Sequence, residues 1–461
     1  MPNGATRQLA AYVATTPTDH FPDDVMDRAK YFVLDYLGVA LRGSHTASSA
    51  AIQTFIDGFA PGNATIVGRN QRAHPAYAAL ANGAAEHSLE MDDTHQAGSI
   101  HLGAPIVSAL IAASEMQPVS GREFLAAMIV GYEVAARVAM AVGPAAHYQR
   151  GFHPTGTCGA FGTAAAVSRV WGLDTDATAH ALGIAGSQTA GSMEFLATGA
   201  WTKRLHPGWA AHNGIIAAGL ARSGFTGPDS IFEGRDGFVR SYSNAPRVEK
   251  LTEGLGSAYE ILHTAVKPHT CCRYMQAPID ALLELSNTHD FAADDVSQVT
   301  IGVLETAFPI ICEPAEIKYA PRSVVDAQFS MPFGAAVALL YRRASLAEFS
   351  PEVITSPRVH AMMQRVTHAR DAALDKHYPQ AWPAWAHIAL RDGRHVSHTV
   401  HYPKGDPQNP LSWEELMAKY EDLGSSVLPA DRLHEVCTHI RQLDQRADVS
   451  PLWQLLRPIA P

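Results

Sequence analysis

From about residue 5 to 257 the chain is a succession of Ala-, Leu- and Val-rich stretches cut by Gly and Pro turns, and that texture leaves little choice of fold. Residues 24–41, 75–89, 104–116, 121–142 and 176–191 have helical periodicity, and nothing there alternates with the period of two that a half-buried strand needs. The texture changes after Lys267. Residues 296–303 alternate as a strand, and 386–391 and 395–400 flank Asp392-Gly393, a strong hairpin signal. Residues 403–410 then read as an extended crossing, and 413–420 and 431–443 return to helical periodicity. The expected fold is mainly α. Residues 1–266 and 401–461 would form a large all-helical domain, with a smaller α+β lid domain inserted at 267–400. No internal repeat or low-complexity tract interrupts it.

At 461 residues the chain is long for one core, and its charged fraction of 17% implies extensive burial. A formal charge of −10 argues against nucleic acid and anionic membranes as partners. An anionic small molecule would need a local basic pocket, which the short reach of fields in physiological salt, about 8 Å, allows. Five unevenly spaced cysteines do not form a disulfide framework and fit a reducing compartment. Residues 1–16 lack the basic start and apolar core of a secretion signal, and apolar runs such as 104–113 fall short of the ~20 residues that span a bilayer. The expectation is a cytoplasmic protein with no membrane partner.

Against this apolar background four polar knots stand out. Glu86-His87-Ser88-Leu89-Glu90-Met91-Asp92-Asp93-Thr94-His95, with His101 beyond, is costly to bury unless it does chemistry or closes a hydrogen-bond network. Its carboxylates and histidines fit a divalent metal, acid–base work on an organic acid, or a satisfied polar cluster at a helix end. Gly151-Phe152-His153-Pro154-Thr155-Gly156-Thr157 runs into a helical stretch at 163–170, with Thr155 or Thr157 as N-cap and free N–H groups suited to an anion. Gly159 and Gly162 point to close helix packing there. Thr202-Lys203-Arg204-Leu205-His206-Pro207-Gly208 sits between Trp201 and Trp209, ahead of a helix at 214–223; the flanking tryptophans argue for partial burial of the cations. Lys267-Pro268-His269-Thr270-Cys271-Cys272-Arg273-Tyr274 is a loop, since Pro268 forbids a helix through Lys267, and it enters a helix at 275–285.

In this order the four segments resemble the MmgE/PrpD family, which includes 2-methylcitrate dehydratases, cis-aconitate decarboxylases and an iminodisuccinate epimerase. Asp326-Ala327-Gln328-Phe329-Ser330-Met331-Pro332-Phe333 and the stretch from Tyr402 to Ser412 extend the likeness over nearly the whole chain. The resemblance implies a site between the two domains, a homodimer, and catalysis with no metal or other cofactor on a di- or tricarboxylate. Its decarboxylases match at Thr94, His101, His153, Lys203 and Lys267, with Glu90 where they have Asp; Tyr319 is the candidate for their smaller-domain tyrosine. The epimerase pair falls on Tyr148 and Lys267.

The shared difficulty in that chemistry is making or protonating a carbanion beside a carboxylate, so cations and donors must sit where charge develops. The expected catalytic set is Lys267, His101, His153, Tyr148 and Lys203. Thr94, Asp93, Glu90, His206, His269 and Arg273 are the expected substrate-binding set. Lys267 is the leading base, its pKa expected to fall beside His269, Arg273 and Lys203. Asp92 and Asp93 read as helix caps that orient His101 or Lys203. An iron–sulfur cluster lacks spaced Cys ligands, and a metal on Glu90, Asp92, Asp93 and His95 is the remaining cofactor reading. The sequence thus points to a cofactor-independent lyase on a citrate- or aconitate-like acid, dehydration ahead of decarboxylation. Epimerisation of a substituted succinate and a non-catalytic carboxylate binder are the alternatives.

Overall fold

A computed structural model of the chain describes residues 4–458. Long helices dominate its first half: Asp23–Gly43, Pro75–Glu86, Gly103–Ser114, Gly121–Val142, Pro154–Val170, Thr175–Gly186 and Thr202–Arg222. Ala and Gly faces let them approach closely. A side chain at Gly162 would meet Ala135 and the Gly131 carbonyl at 2.6 Å, and one at Gly83 would lie 2.8 Å from Gly208 Cα. Gly121–Val142 is long and apolar enough to cross a membrane, yet nearly all of it is buried among the other helices, with the Glu133–Arg137 ion pair inside.

Four strands, β1 (Pro61–Thr65) with β2 (Arg72–Ala73) and β3 (Thr94–His95) with β4 (Thr264–Ala265), form two small antiparallel ribbons where the sequence shows no alternation. They are too short to carry a period. The main sheet has the order β6 (Val366–Arg370), β5 (Val296–Val303), β7 (Ala384–Leu390), β8 (His395–Val400). It is antiparallel except for the β5–β6 pair. The β7–β8 hairpin turns at Gly393, whose φ of +89° suits a residue without a Cβ.

Apolar side chains gather into two main cores. One draws on residues 9–266 and 411–456, the other on Phe195 and residues 271–390. All five cysteines are buried free thiols.

Two helix starts differ from expectation. The helix expected at 163–170 begins at Pro154, because proline's fixed φ and missing N–H suit the first helical position; His153 is the N-cap. Thr155 and Thr157 lie inside it and bond elsewhere, Thr155 Oγ1 accepting from the His101 N–H and Thr157 Oγ1 meeting His147 Nε2. The helix expected at 214–223 begins at Thr202 and runs through Pro207. Lys203 and Arg204 are buried in its first turn, while Trp201 and Trp209 are the exposed ones.

Candidate active site

The acidic knot follows the helix Pro75–Glu86 and is pinned from several directions. Lys419 Nζ donates to the Met91 carbonyl and pairs with Asp35, and Gln328 Nε2 donates to the Leu89 carbonyl. The β3–β4 ribbon staples Thr94-His95 to the strand that leads into Lys267. Glu90 sits in the left-handed region at φ +56°, unusual for a side chain with a Cβ and held there by its surroundings.

A mesh of buried charge results. Lys203 Nζ pairs with Glu90 Oε1, and Lys267 Nζ lies 3.4 Å from Glu90 Oε2 and 2.8 Å from Asp92 Oδ1, the latter contact lacking hydrogen-bond alignment. Burial alone would raise the Glu90 pKa, but Lys203 and Lys267 bring it down to about 2. Burial likewise disfavours the Asp92 carboxylate, and the imidazoles of His101 and His87 with the Lys267 ammonium hold it well below its usual range. Asp92 Oδ2 takes both His87 Nδ1, at 2.5 Å, and His101 Nδ1, at 2.9 Å. His101 Nδ1 is also 2.7 Å from the Asp93 carbonyl. These acceptors place its proton on Nδ1, leaving a lone pair on Nε2. Burial keeps His101 and His87 neutral, His87 down to about 3. Asp93 Oδ1 accepts from the N–H groups of Leu102 and Gly103, its Oδ2 accepts from Tyr132 Oη, and burial pushes its pKa up to about 7.

Beside the mesh lies a small, partly enclosed cavity. The first core contributes Glu90, Thr94, Ser99, His101, Tyr148, His153 and Lys203. The second contributes Cys272, Arg273, Tyr274, Ile310, Phe329 and Trp382, and the connection after Gly186 adds Met193 and Phe195. Two cations in a helix's first turn oppose the helix dipole, so Lys203 and Arg204 are not placed there by helix propensity. Arg273 pairs with buried Asp406, which also accepts from Gln96 Nε2 at 2.7 Å. The buried Nε of Arg273 has no hydrogen-bond partner among the described residues, and its guanidinium lies over the Trp382 ring. Tyr274 stacks on Trp382 at 4.2 Å.

Residues 7–251 match the MmgE/PrpD N-terminal domain and residues 269–443 the MmgE/PrpD C-terminal domain. The chain belongs to the MmgE/PrpD family. Among curated MmgE/PrpD relatives, the cis-aconitate decarboxylase-like protein oryM of Aspergillus oryzae is 31% identical, over 98% of this chain and 97% of its own length. The cis-aconitate decarboxylase of Aspergillus terreus is 28% identical over 98% and 96%, and the 2-methylcitrate dehydratase of Cupriavidus necator 25% over 82% and 81%.

In this MmgE/PrpD chain, the cavity brings together Glu90, Thr94, His101, Tyr148, His153, Lys203 and Arg273 of the expected set. Four expected residues stand elsewhere. Lys267 is fully buried behind Glu90 and Asp92 and does not line the cavity. Burial would lower its pKa, but Asp92 and Glu90 outweigh that and raise it, because its close neighbours are carboxylates rather than the cations expected from sequence. Of the expected Tyr148–Lys267 pair, only Tyr148 lines the cavity. Asp93 caps the helix Gly103–Ser114 and does not line the cavity, His269 bonds Asp280 at 2.8 Å, and His206 bonds His153 from outside the cavity. Tyr319 donates to the Val366 carbonyl; the cavity's tyrosine from the second core is Tyr274.

Ser99, Trp382, Ile310, Met193 and Phe195 carried no sequence signal. Cys272, Tyr274, Phe329 and Asp406 lay inside motifs of the resemblance, where a charged neighbour drew the eye first. The metal set of Glu90, Asp92, Asp93 and His95 is not assembled, since His95 Nε2 donates to Glu260 and its Nδ1 accepts from the Gly98 N–H. Ring nitrogens of His87, His101 and His153 do lie within 4.8 Å of one another. Lys203 presses positive charge on all three, however, which disfavours a cation among them, and we assign them no metal.

Proposed function

We propose that this protein is a lyase that decarboxylates an unsaturated tricarboxylate of the cis-aconitate type, using its own side chains for binding and proton transfer. The observation that carries the reading is the cavity, where Lys203 and Arg273 share one small enclosure with the neutral imidazoles of His101 and His153. The near full-length likeness to cis-aconitate decarboxylases supports decarboxylation ahead of the dehydration favoured from sequence.

In this reading Arg273 and Lys203 bind substrate carboxylates, and the apolar wall of Ile310, Phe329 and Trp382 receives the carboxylate that leaves as neutral CO₂. The electron pair of the breaking C–C bond moves into the allylic system. Charge grows on the carboxylate that remains, where fixed cations are most effective, and the carbon beside it takes a proton. Lys267 supports the reaction electrostatically, fixing Glu90 and Asp92.

Incubating the purified protein with cis-aconitate in D₂O, and following CO₂ and the proton spectrum, tests this. CO₂ release with one solvent deuterium in the product is the expected result. No CO₂ from cis-aconitate, together with conversion of 2-methylcitrate to an alkene, would replace decarboxylation by dehydration.

A further inference from the structure

His206 lies outside the cavity, yet it touches a residue that lines it. His153 Nδ1 and His206 Nδ1 are 3.1 Å apart, so one nitrogen carries the proton and the other the lone pair. Both rings are buried. His87 and His101 face His153 with ring centroids at 5.8 and 6.1 Å, Lys203 acts on both members of the pair, and the Phe195 ring packs against each. Among the described residues neither imidazole bonds a carboxylate. The nearby Glu90 and Asp92 are committed to Lys203, Lys267, His87 and His101.

The same ledger holds for the whole cavity. Lys203 is matched by Glu90 and Arg273 by Asp406. An entering di- or trianion therefore brings negative charge that the resting site does not balance. The His153–His206 pair is placed to balance it, being neutral at rest, free of acidic partners and one ring away from the substrate.

We infer that the His153–His206 pair takes up one proton as an anionic substrate enters, and that His206 is a positioning residue that holds this proton for His153 to deliver. The inference rests on the lyase reading for the fate of the proton. The balance closes: the carboxylate leaves as CO₂, its electron pair stays on the substrate, the far carbon takes the proton from the pair, and both imidazoles return to neutral. Burial, with the charge of Lys203, holds both rings neutral beforehand, His206 down to about 4, and it is the negative charge of the arriving anion that opposes this and draws the proton in.

Calorimetric titration of the full-length protein with tricarballylate, a saturated tricarboxylate that lacks the allylic path, gives the proton count. Binding enthalpies at about pH 7.5 in phosphate, HEPES and Tris, plotted against buffer ionisation enthalpy, should give uptake of about one proton per site. His206→Asn can still donate to His153 Nδ1 but cannot be protonated, and its uptake should fall close to zero while binding persists. Buffer-independent binding by the wild type overturns the inference, as does undiminished uptake by a folded His206→Asn. The wild-type count decides the first half even where that variant does not fold, and His206→Gln then serves for the second. Failure of both tricarballylate and cis-aconitate to bind also overturns it, because no anion then enters. Turnover separates the two readings. Proton-coupled binding without CO₂ release sinks the lyase and leaves the pair standing, whereas CO₂ release with buffer-independent binding does the reverse.

Discussion

Replacing Lys267 with methionine keeps the length of the side chain and removes its charge, leaving Asp92 and Glu90 buried with one ammonium between them instead of two. Breaking a buried ion pair from one side costs about 3–5 kcal/mol, mostly from the stranded charge. If a helical unit of roughly 300 residues melts together, with an unfolding entropy of about 2.1 cal/mol/K per residue, the melting temperature falls by about 5–8 °C. The pH dependence adds a signature. Glu90's pKa in the fold drops from 4.5 to about 2, so its stabilisation is complete above 4.5 and lost as pH falls toward 2. Lys267's is raised above 10.5, so its stabilisation is complete below 10.5 and lost only as pH climbs beyond that. The deficit of Lys267→Met should therefore be flat between about pH 6 and 9 and shrink below about pH 5, where the stranded carboxylates protonate. Differential scanning calorimetry across that range measures it. A variant melting within a degree of the wild type, or a deficit that does not change with pH, would refute the reasoning.

Three further outcomes are expected. Arg273→Lys keeps a charge but loses the planar fork between Asp406 and the cavity, and should raise KM about tenfold with a smaller change in kcat; equal loss of both would move Arg273 from binding to chemistry. Activity should survive exhaustive EDTA, with no stoichiometric metal by elemental analysis, and restoration of a chelation-lost activity by one divalent ion would reverse that. Light scattering at micromolar concentration should give the mass of a dimer, and Trp209→Glu, on the exposed aromatic face with Phe55, Phe59 and Trp201, should shift it toward monomer; a wild-type monomer would contradict this.

Helix periodicity carried most of the first half of the chain, and β5 spans the eight residues whose alternation marked it. What escaped depended on contacts between distant segments. Lys267 looked like a base because its sequence neighbours His269 and Arg273 are basic, yet the residues that surround it, Glu90 and Asp92, lie far back in the chain. His206 looked like a ligand for substrate, and only the meeting of two helix starts shows that its partner is His153. Trp382 stands in a Pro-flanked stretch with no polar residue beside it, so its place over Arg273 had no local signal.

Asp406 is bound by Gln96 on one side and Arg273 on the other, and next to it a Cβ at Gly405 would come within 2.1 Å of the Val266 carbonyl. One short stretch of chain thus rivets the helical core to the sheet-bearing core behind Arg273 of the cavity. The seam also carries apolar contacts, Phe195 in the sheet-bearing core and Leu346 against the cluster of Leu89 and Met91, but far fewer than either core, so heat should test it first. Warmed slowly, the enzyme should fall silent while its helices are still intact, and regain activity on cooling so long as neither core has melted.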